Sequence, residues 1–364
     1  MVTPKKIRVL IVDDSDVARE ILRTLLEDQQ DIEVVAEARN GRESIELVRQ
    51  FRPDLVTMDL NMPGISGIEA IEHIMHDKAV PILVVSNESD AQMAYEALRC
   101  GALDVMAKPT YDAAEAEHFQ SQVRLLAGVP VITRLRRRLK IEAVSEPVFK
   151  PIAATSAVDP GMGYQQVFVL ASSTGGPQAL AHLLPQFEAG FSAPILIAQH
   201  ISDGFIDGMA QWLSGLCKLT VKVAEDGEYL RAGNVYLSPS EQHLTVGTDR
   251  RVKLKKRADS DIYHPSCDEL LSSVATVFGR NAIAIIMTGM GRDGTRGMAA
   301  IHAQGGITLA QDEASSVIYG MNAEAVKAGV IQRELPLKCL ADEMLRILAL
   351  TPAGYCSALQ RGEL

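Results

Sequence analysis

The chain has little of several things, and each shortage excludes something. No apolar run of any length stands near its start. The first, residues 7–12, is interrupted by Arg8 and ended by Asp13 and Asp14, too short for a signal-peptide core or a bilayer span. The five cysteines (Cys100, Cys217, Cys267, Cys339, Cys356) are scattered, odd in number and without a CxxC pair. That spacing argues against a disulfide framework and for idle thiols in a reducing cytosol. Basic residues are in deficit: 36 Lys and Arg face 46 Asp and Glu, a formal net charge of -10. Such a chain lacks the overall basic character expected of a dedicated nucleic-acid binder. What is present is ordinary, with 47% apolar and 23% charged residues, which excludes wholesale disorder and fibrous repeats. The 364 residues suffice for two or three domains, each able to bury its own core.

Residues 1–126 alternate strand-length apolar runs (7–12, 33–37, 54–58, 81–85, 104–107) with helical-period segments such as 17–27 and 42–50. Five such repeats predict an open parallel sheet with helices on both faces and ligands at the carboxyl ends of the strands. Residues 127–163 then carry Pro130, Pro147, Pro151 and Pro160 with the basic cluster Arg134, Arg136, Arg137, Arg138 and Lys140. They read as a linker, with one short basic helix continuing the last helix of the first half. The cluster is a solvated face, or a contact with an acidic partner or between the domains. A second α/β pattern spans 164–352, with strands at 167–171, 194–199, 282–287 and 307–310 and helices at 177–187, 205–216, 268–278, 295–304 and 337–350. A β-rich insert is expected at 221–254, and 353–364 reads as a tail without a role.

In the first half Asp13 and Asp14 end the first strand, Asp59 follows the third, Ser86 ends the fourth, and Lys108 with Pro109 follows the fifth. Converging carboxylates call for a cation, and Mg²⁺ suits a phosphate chemistry with few protein ligands. A hydroxyl and an ammonium at the same edge would hold phosphoryl oxygens. The competing interpretation, that Asp13 and Asp14 only cap the next helix with Ser15, leaves the other three groups unexplained. With Met62-Pro63 and Gly67, these residues resemble the receiver domain of two-component response regulators, a flavodoxin-like (βα)5 fold. The resemblance implies Asp59 as phosphate acceptor, Asp14, Asp59 and the Asn61 carbonyl as Mg²⁺ ligands with Asp13 nearby, and Ser86 and Lys108 as phosphoryl sensors. Val105 stands where many receivers carry an aromatic switch residue, so a helix or interface shift would have to transmit the signal.

In the second half, Val169-Leu170-Ala171-Ser172-Ser173-Thr174-Gly175-Gly176-Pro177 runs from a buried strand through a glycine turn into a helix. A serine there stands near backbone N–H groups able to hold an oxyanion, although the G-x-S-x-G elbow is absent. A phosphate-binding turn is the alternative. A serine nucleophile needs a base and the base an orienting acid. His200 and Asp293 follow other strands of the same predicted sheet. His243 is a rival base, Asp203 and Asp312 are rival acids, His182 reads as a surface residue, and Ser266 with Glu269, after His264, reads as a capping box.

Together with His264-Pro265-Ser266 and Gln311-Asp312-Glu313-Ala314-Ser315-Ser316 running to Tyr319-Gly320-Met321, these stretches resemble the catalytic domain of the chemotaxis protein-glutamate methylesterase family (CheB). That implies a doubly wound, mainly parallel α/β hydrolase-type domain with a β-rich insert. It implies Ser173 as nucleophile, His200 as base, Asp293 as orienter, and Thr174 and the Met290 backbone as oxyanion support. One departure is Asn322, where the family usually has proline. The expected activity is hydrolysis of glutamate γ-methyl esters on chemoreceptors, with glutamine deamidation, in the cytoplasm. It would be switched by a chemotaxis histidine kinase, with no nucleic-acid partner, no membrane insertion and no cofactor for the esterase step. A transcriptional regulator would need a small basic output module. A non-catalytic adaptor would not need all three of Ser173, His200 and Asp293.

Overall fold

The computed structural model describes residues 5–87, 90–131, 164–258, 261 and 263–361. The basic cluster 134–140 and most of the expected linker lie outside the described residues.

The first sheet has five parallel strands, β1 (Ile7–Val12), β2 (Ile32–Ala38), β3 (Leu55–Met58), β4 (Ile82–Ser86) and β5 (Asp104–Ala107), in the order β2-β1-β3-β4-β5. Helices α1 (Asp16–Glu27), α2 (Gly41–Phe51), α3 (Gly67–Asp77), α4 (Ala91–Cys100) and α5 (Ala113–Ala127) connect and cover them. Their starts are set by capping side chains: Ser15 accepts from Ala18 N–H, Asn40 from Glu43 N–H, and Ser66 forms a full capping box with Glu69. The order makes β1 and β3 neighbours, which carries Asp13, Asp14 and Asp59 to one edge.

The second sheet is wholly parallel and seven-stranded. Its strands are β6 (Val167–Ser172), β7 (Ile195–Gln199), β8 (Thr220–Val223), β9 (Asn234–Leu237), β12 (Ala282–Ile286), β13 (Ile307–Gln311) and β14 (Arg333–Leu335), ordered β14-β13-β12-β6-β7-β9-β8. Helices α6 (Gly176–Leu183), α7 (Ile206–Leu216), α8 (Cys267–Phe278), α9 (Thr295–Ala303), α10 (Met321–Lys327) and α11 (Leu337–Gln360) enclose it. Parallel strands covered on both faces need continuous apolar sequence, and the central β6, β7, β12 and β13 are buried throughout. The chain moves one way from β6 to β7 and later returns to β12 on the other side. The crevice at β6/β12 is therefore the topological switch point, where such sheets hold their ligands.

The stretch expected to be β-rich, 221–254, holds four strands: β8 and β9 join the main sheet in parallel, and β10 (Gln242–Val246) and β11 (Val252–Lys256) form an antiparallel hairpin beside it. Turn residues mark chain reversals without saying which sheet a strand joins. One expectation is corrected: no tail begins at 353, since α11 runs through Pro352 to Gln360. Pro352 removes one helical N–H, but fully buried Tyr355 bonds Glu343, which also pairs with Arg333 and Arg346. That buried anchor holds the helix beyond the proline.

The two α/β units share a continuous buried apolar cluster. Tyr95 of α4 stacks on Trp212 of α7 with centroids 5.4 Å apart, and its hydroxyl donates to the Phe205 carbonyl at 3.2 Å. Gly208 faces Ala91, and a Cβ there would stand 2.8 Å from the Ala91 methyl.

Candidate active site and phosphoryl pocket

β6 delivers Ser173 to the switch-point crevice, 8% exposed. Gly175 takes φ 79° to start α6, a conformation suited to glycine. Gly289 packs so closely on Ser173 that a Cβ would meet the serine Cβ at 2.6 Å. The turn is laced from beneath. Ser172 Oγ donates to Gln199 Oε1 at 2.7 Å, and Gln199 Nε2 donates to the carbonyls of Ser173 and His200, both at 2.8 Å. Thr288 Oγ1 donates to the Thr174 carbonyl at 2.9 Å.

At the end of β7, His200 Nε2 lies 2.8 Å from Asp293 Oδ2. Asp293 also accepts from the N–H groups of Cys267 (2.6 Å), Asp268 (2.9 Å) and Gly294 (3.0 Å), and from Ser266 Oγ (3.2 Å). Burial would raise its pKa, but His200 and the N–H groups at the start of α8 outweigh burial and hold it below the ordinary carboxylate range. It is therefore anionic at neutral pH and able to orient a histidine. Among the described residues the N–H groups of Thr174 and Met290 donate to no protein acceptor. Met290 is 40% exposed. A hydroxyl, an imidazole held by a carboxylate, and two uncommitted N–H groups can together support acyl transfer.

The rivals are engaged elsewhere. His243 is buried, with Nε2 2.9 Å from Asp261 and Nδ1 accepting the Ser266 N–H. Asp203 pairs with Arg257 and Asp312 caps the turn at Ser315, while His182 is exposed. Ser266 forms only half of the expected capping box: its Oγ accepts from Glu269 N–H, but Glu269 turns to Lys255. Asn322 is buried, with Nδ2 donating to the Gln311 carbonyl and to Ser316 Oγ, so it knits the loop that a proline would stiffen.

Three neighbours shape the site. Gln199 belongs, with His200, to the stretches that resemble the methylesterase family, but its lacing of the serine turn shows only in the fold. Tyr263, in the segment before α8, stacks on the His200 ring at 5.2 Å and 10°. It also lines a groove of about 390 Å³ with Arg292, Tyr319 and Lys327. No periodicity marks it. Cys267 Sγ lies 3.6 Å from His200 Nε2. Burial, with the charges of Asp293 and Asp268, pushes its thiol well above the usual value, so it is no rival nucleophile.

In the first unit, Asp13, Asp14 and Asp59 bring carboxylate oxygens within 4.8 Å of one another. Lys108 Nζ lies 2.7 Å from Asp13 Oδ2 and 3.3 Å from Asp59 Oδ1, yet both oxygens are buried without a well-directed hydrogen bond. Two buried carboxylates facing one ammonium, beside the exposed Asp14, leave an excess of anionic oxygen that suits a hard dication. Asp13 Oδ1 accepts from Ser15 N–H, but the α1 cap itself is Ser15, so capping does not account for the acids. Ser86 Oγ donates to Asp90 Oδ2 at 3.2 Å, and Asn61 Nδ2 to Asp90 Oδ1 at 2.5 Å. The acceptor neighbours thus hold the residue that starts α4.

Burial pushes Asp59 up to about 6, Lys108 opposing and Asp13 adding to the rise. A raised acid is least stable when charged. The cost is absent below the ordinary value of 3.8 and complete above about 6. Asp59→Asn is therefore expected to stabilise the cation-free protein by ~1–3 kcal/mol at pH 7.5. It should give no gain near pH 3.5, as read by urea unfolding at the two pH values.

Contacts from the first unit reach the serine turn. Gln122 of α5 lies 3.4 Å from Thr174 Oγ1, and Gln178 Nε2 donates to the Ala102 carbonyl at 2.6 Å. The Ala107 N–H, beside Lys108, donates to Ser202 Oγ at 3.4 Å. Burial raises Asp104 to about 6, against its hydrogen bonds from Val105 N–H and the Thr174 hydroxyl. His118 of α5 lies within electrostatic reach of His200 and His264.

The sequence model of the CheB methylesterase family matches residues 168–344, and that of the response regulator receiver domain matches 9–118. A protein-glutamate methylesterase/protein-glutamine glutaminase of Paramagnetospirillum magneticum is 53% identical over 94% of this chain and 96% of its own. One from Myxococcus xanthus is 40% identical over 93% and 96%. Among solved structures, the Thermotoga maritima CheB methylesterase catalytic domain is 33% identical over 50% of this chain and 98% of its own, with a TM-score of 0.49. A receiver-domain match followed by a methylesterase-domain match, with relatives of this identity aligned over more than nine-tenths of the chain, makes the chain a member of the CheB methylesterase family.

Proposed function

We propose that the chain is a phosphorylation-activated protein-glutamate methylesterase. It hydrolyses glutamate γ-methyl esters on the cytoplasmic helices of chemoreceptors, releases methanol, and deamidates receptor glutamines in chemotactic adaptation. It works in the cytoplasm, with a chemotaxis histidine kinase as phosphoryl donor. The receiver comprises 1–126, and the hydrolase runs from 164 through α11. The observation that supports this reading most is the His200–Asp293 hydrogen bond at 2.8 Å on the parallel sheet whose central strand β6 leads into the Ser173 turn, with Gln122 of the receiver against Thr174 of that turn.

With Nε2 committed to Asp293, His200 Nδ1 takes the Ser173 proton as Oγ attacks the ester carbonyl. The N–H groups of Thr174 and Met290 receive the oxyanion. The imidazolium returns its proton to the leaving methoxide, and methanol departs. Water, deprotonated by His200, then attacks the acyl-enzyme, frees the glutamate carboxylate and restores the serine. Tyr263 offers its ring face to the imidazolium, an interaction worth ~0.5–2 kcal/mol. Tyr263→Leu should therefore lower kcat about 3- to 30-fold while Tyr263→Phe keeps it, measured as methanol release. A serine-directed fluorophosphonate should label wild type and not Ser173→Ala; equal labelling of both would end the assignment.

In the receiver, Asp14, Asp59 and the Asn61 carbonyl would hold Mg²⁺, which offsets phosphoryl charge during transfer. Asp59 accepts the phosphoryl group, and Lys108 and Ser86 turn toward its oxygens. Ser86 then leaves Asp90, and Lys108 draws on the end of β5 beside the Ala107–Ser202 contact. Both changes loosen α4 and β5 from the hydrolase and uncover the serine turn. Tyr95 on α4 takes the transmitting part that Val105 lacks an aromatic ring to play. Trp212 is the only tryptophan, so phosphorylation should shift its emission, and Asp59→Asn should abolish that shift.

A further inference from the structure

Beside the proposed catalytic machinery, Cys267 is a buried thiol with no part in the reaction. Its Sγ, His200 Nε2 and an Asp293 oxygen lie within 4.8 Å of one another. We propose that His200, Cys267 and Asp293 form an inhibitory site for a thiophilic divalent cation, Zn²⁺ in the first instance.

The geometry is close to what zinc requires. Tetrahedral bonds of the usual Zn–N and Zn–S lengths put nitrogen and sulfur about 3.6 Å apart, and Sγ stands 3.6 Å from Nε2. Nitrogen and carboxylate oxygen, now 2.8 Å apart, would separate by about 0.5 Å. The charges also suit a buried place, since a thiolate and a carboxylate neutralise the dication, which is favourable where an unbalanced charge would be costly. Soft sulfur with imidazole favours Zn²⁺ over the hard Mg²⁺ that suits the carboxylates of the receiver. Asp293 can ligate through Oδ2 while Oδ1 keeps the N–H groups of Asp268 and Gly294. His200, with 14% of its side chain exposed, is the point of entry.

Binding releases one proton. The Cys267 S–H bond breaks, the S–Zn bond forms and H⁺ goes to solvent. The His200 proton moves from Nε2 to Nδ1 as Nε2 takes the metal. Nδ1 then carries a proton and cannot accept one from Ser173. The inhibition rests on the proposed role of His200, whereas the binding does not.

The test uses the full chain in saturating Mg²⁺. Co²⁺ added to Ser173→Ala protein should produce a thiolate-to-metal charge-transfer band that Ser173→Ala/Cys267→Ser lacks. Methanol release by wild type should fall on adding Zn²⁺ and recover with chelator. Cys267→Ser and Cys267→Ala, each compared with its own uninhibited rate, should need at least about tenfold more Zn²⁺ for half inhibition. Co²⁺ binding without a Cys267-dependent band, or equal Zn²⁺ sensitivity in all three proteins, overturns the site. A Cys267-dependent band without inhibition leaves the metal site standing and removes His200 as the base.

Discussion

Asp293→Asn is expected to lower kcat for ester hydrolysis by ~10³–10⁴-fold with little change in KM. The carboxylate now accepts from His200 Nε2 and from four further donors. An amide cannot satisfy all five. If its oxygen stays with the N–H groups of Asp268 and Gly294, its NH₂ faces Cys267 N–H and His200. The imidazole must then present a bare Nε2 to that NH₂ and carry its proton on Nδ1, where the serine proton has to go. The wrong tautomer is held as firmly as the right one was. Circular dichroism should show a folded protein, and the loss should appear in single-turnover methanol release. A variant within tenfold of wild type would mean that Asp293 does not orient the base.

The second large effect is a gain. Gly208→Val should raise the activity of the unphosphorylated chain by ~10-fold or more, up to the phosphorylated rate. Its new side chain would collide with Ala91 of α4, where a Cβ alone would sit 2.8 Å from the methyl and 2.9 Å from the carbonyl carbon. Overpacking of this kind costs ~1–3 kcal/mol. That cost falls only on the docked state, so the population shifts toward an uncovered serine turn. The fragment from residue 164 should be active without any phosphoryl donor for the same reason. Basal rates of Gly208→Val and of the fragment both equal to wild type would refute occlusion by the receiver.

Much of this was legible because parallel sheets collect chemistry at one edge. Asp13, Asp59, Ser86 and Lys108 on one sheet, and Ser173, His200 and Asp293 on the other, each end or follow an apolar strand, and the strand orders set those strand ends side by side. The less legible features depend on pairings that sequence patterns do not encode. The turns bounding β8 and β9 fit a hairpin or a crossover equally well. Pro352 reads as a helix end because Tyr355 and Glu343, which carry α11 past it, meet only in the fold. The apolar face of α4 (Ala91, Ala94, Tyr95, Leu98) fits packing on its own sheet or on a second domain, and it contributes to both. Tyr263 stacks on His200 from a segment without helical or strand period.

The central claim is that Ser173, uncovered by phosphorylation of Asp59, hydrolyses receptor methyl esters. It is tested most directly by methanol release from methylated receptor membranes, with and without a phosphoryl donor, for wild type, Ser173→Ala and Asp59→Asn. The account predicts donor-stimulated release from wild type, only an unstimulated basal rate from Asp59→Asn, and none above background from Ser173→Ala. Release from Ser173→Ala at the wild-type rate would contradict it.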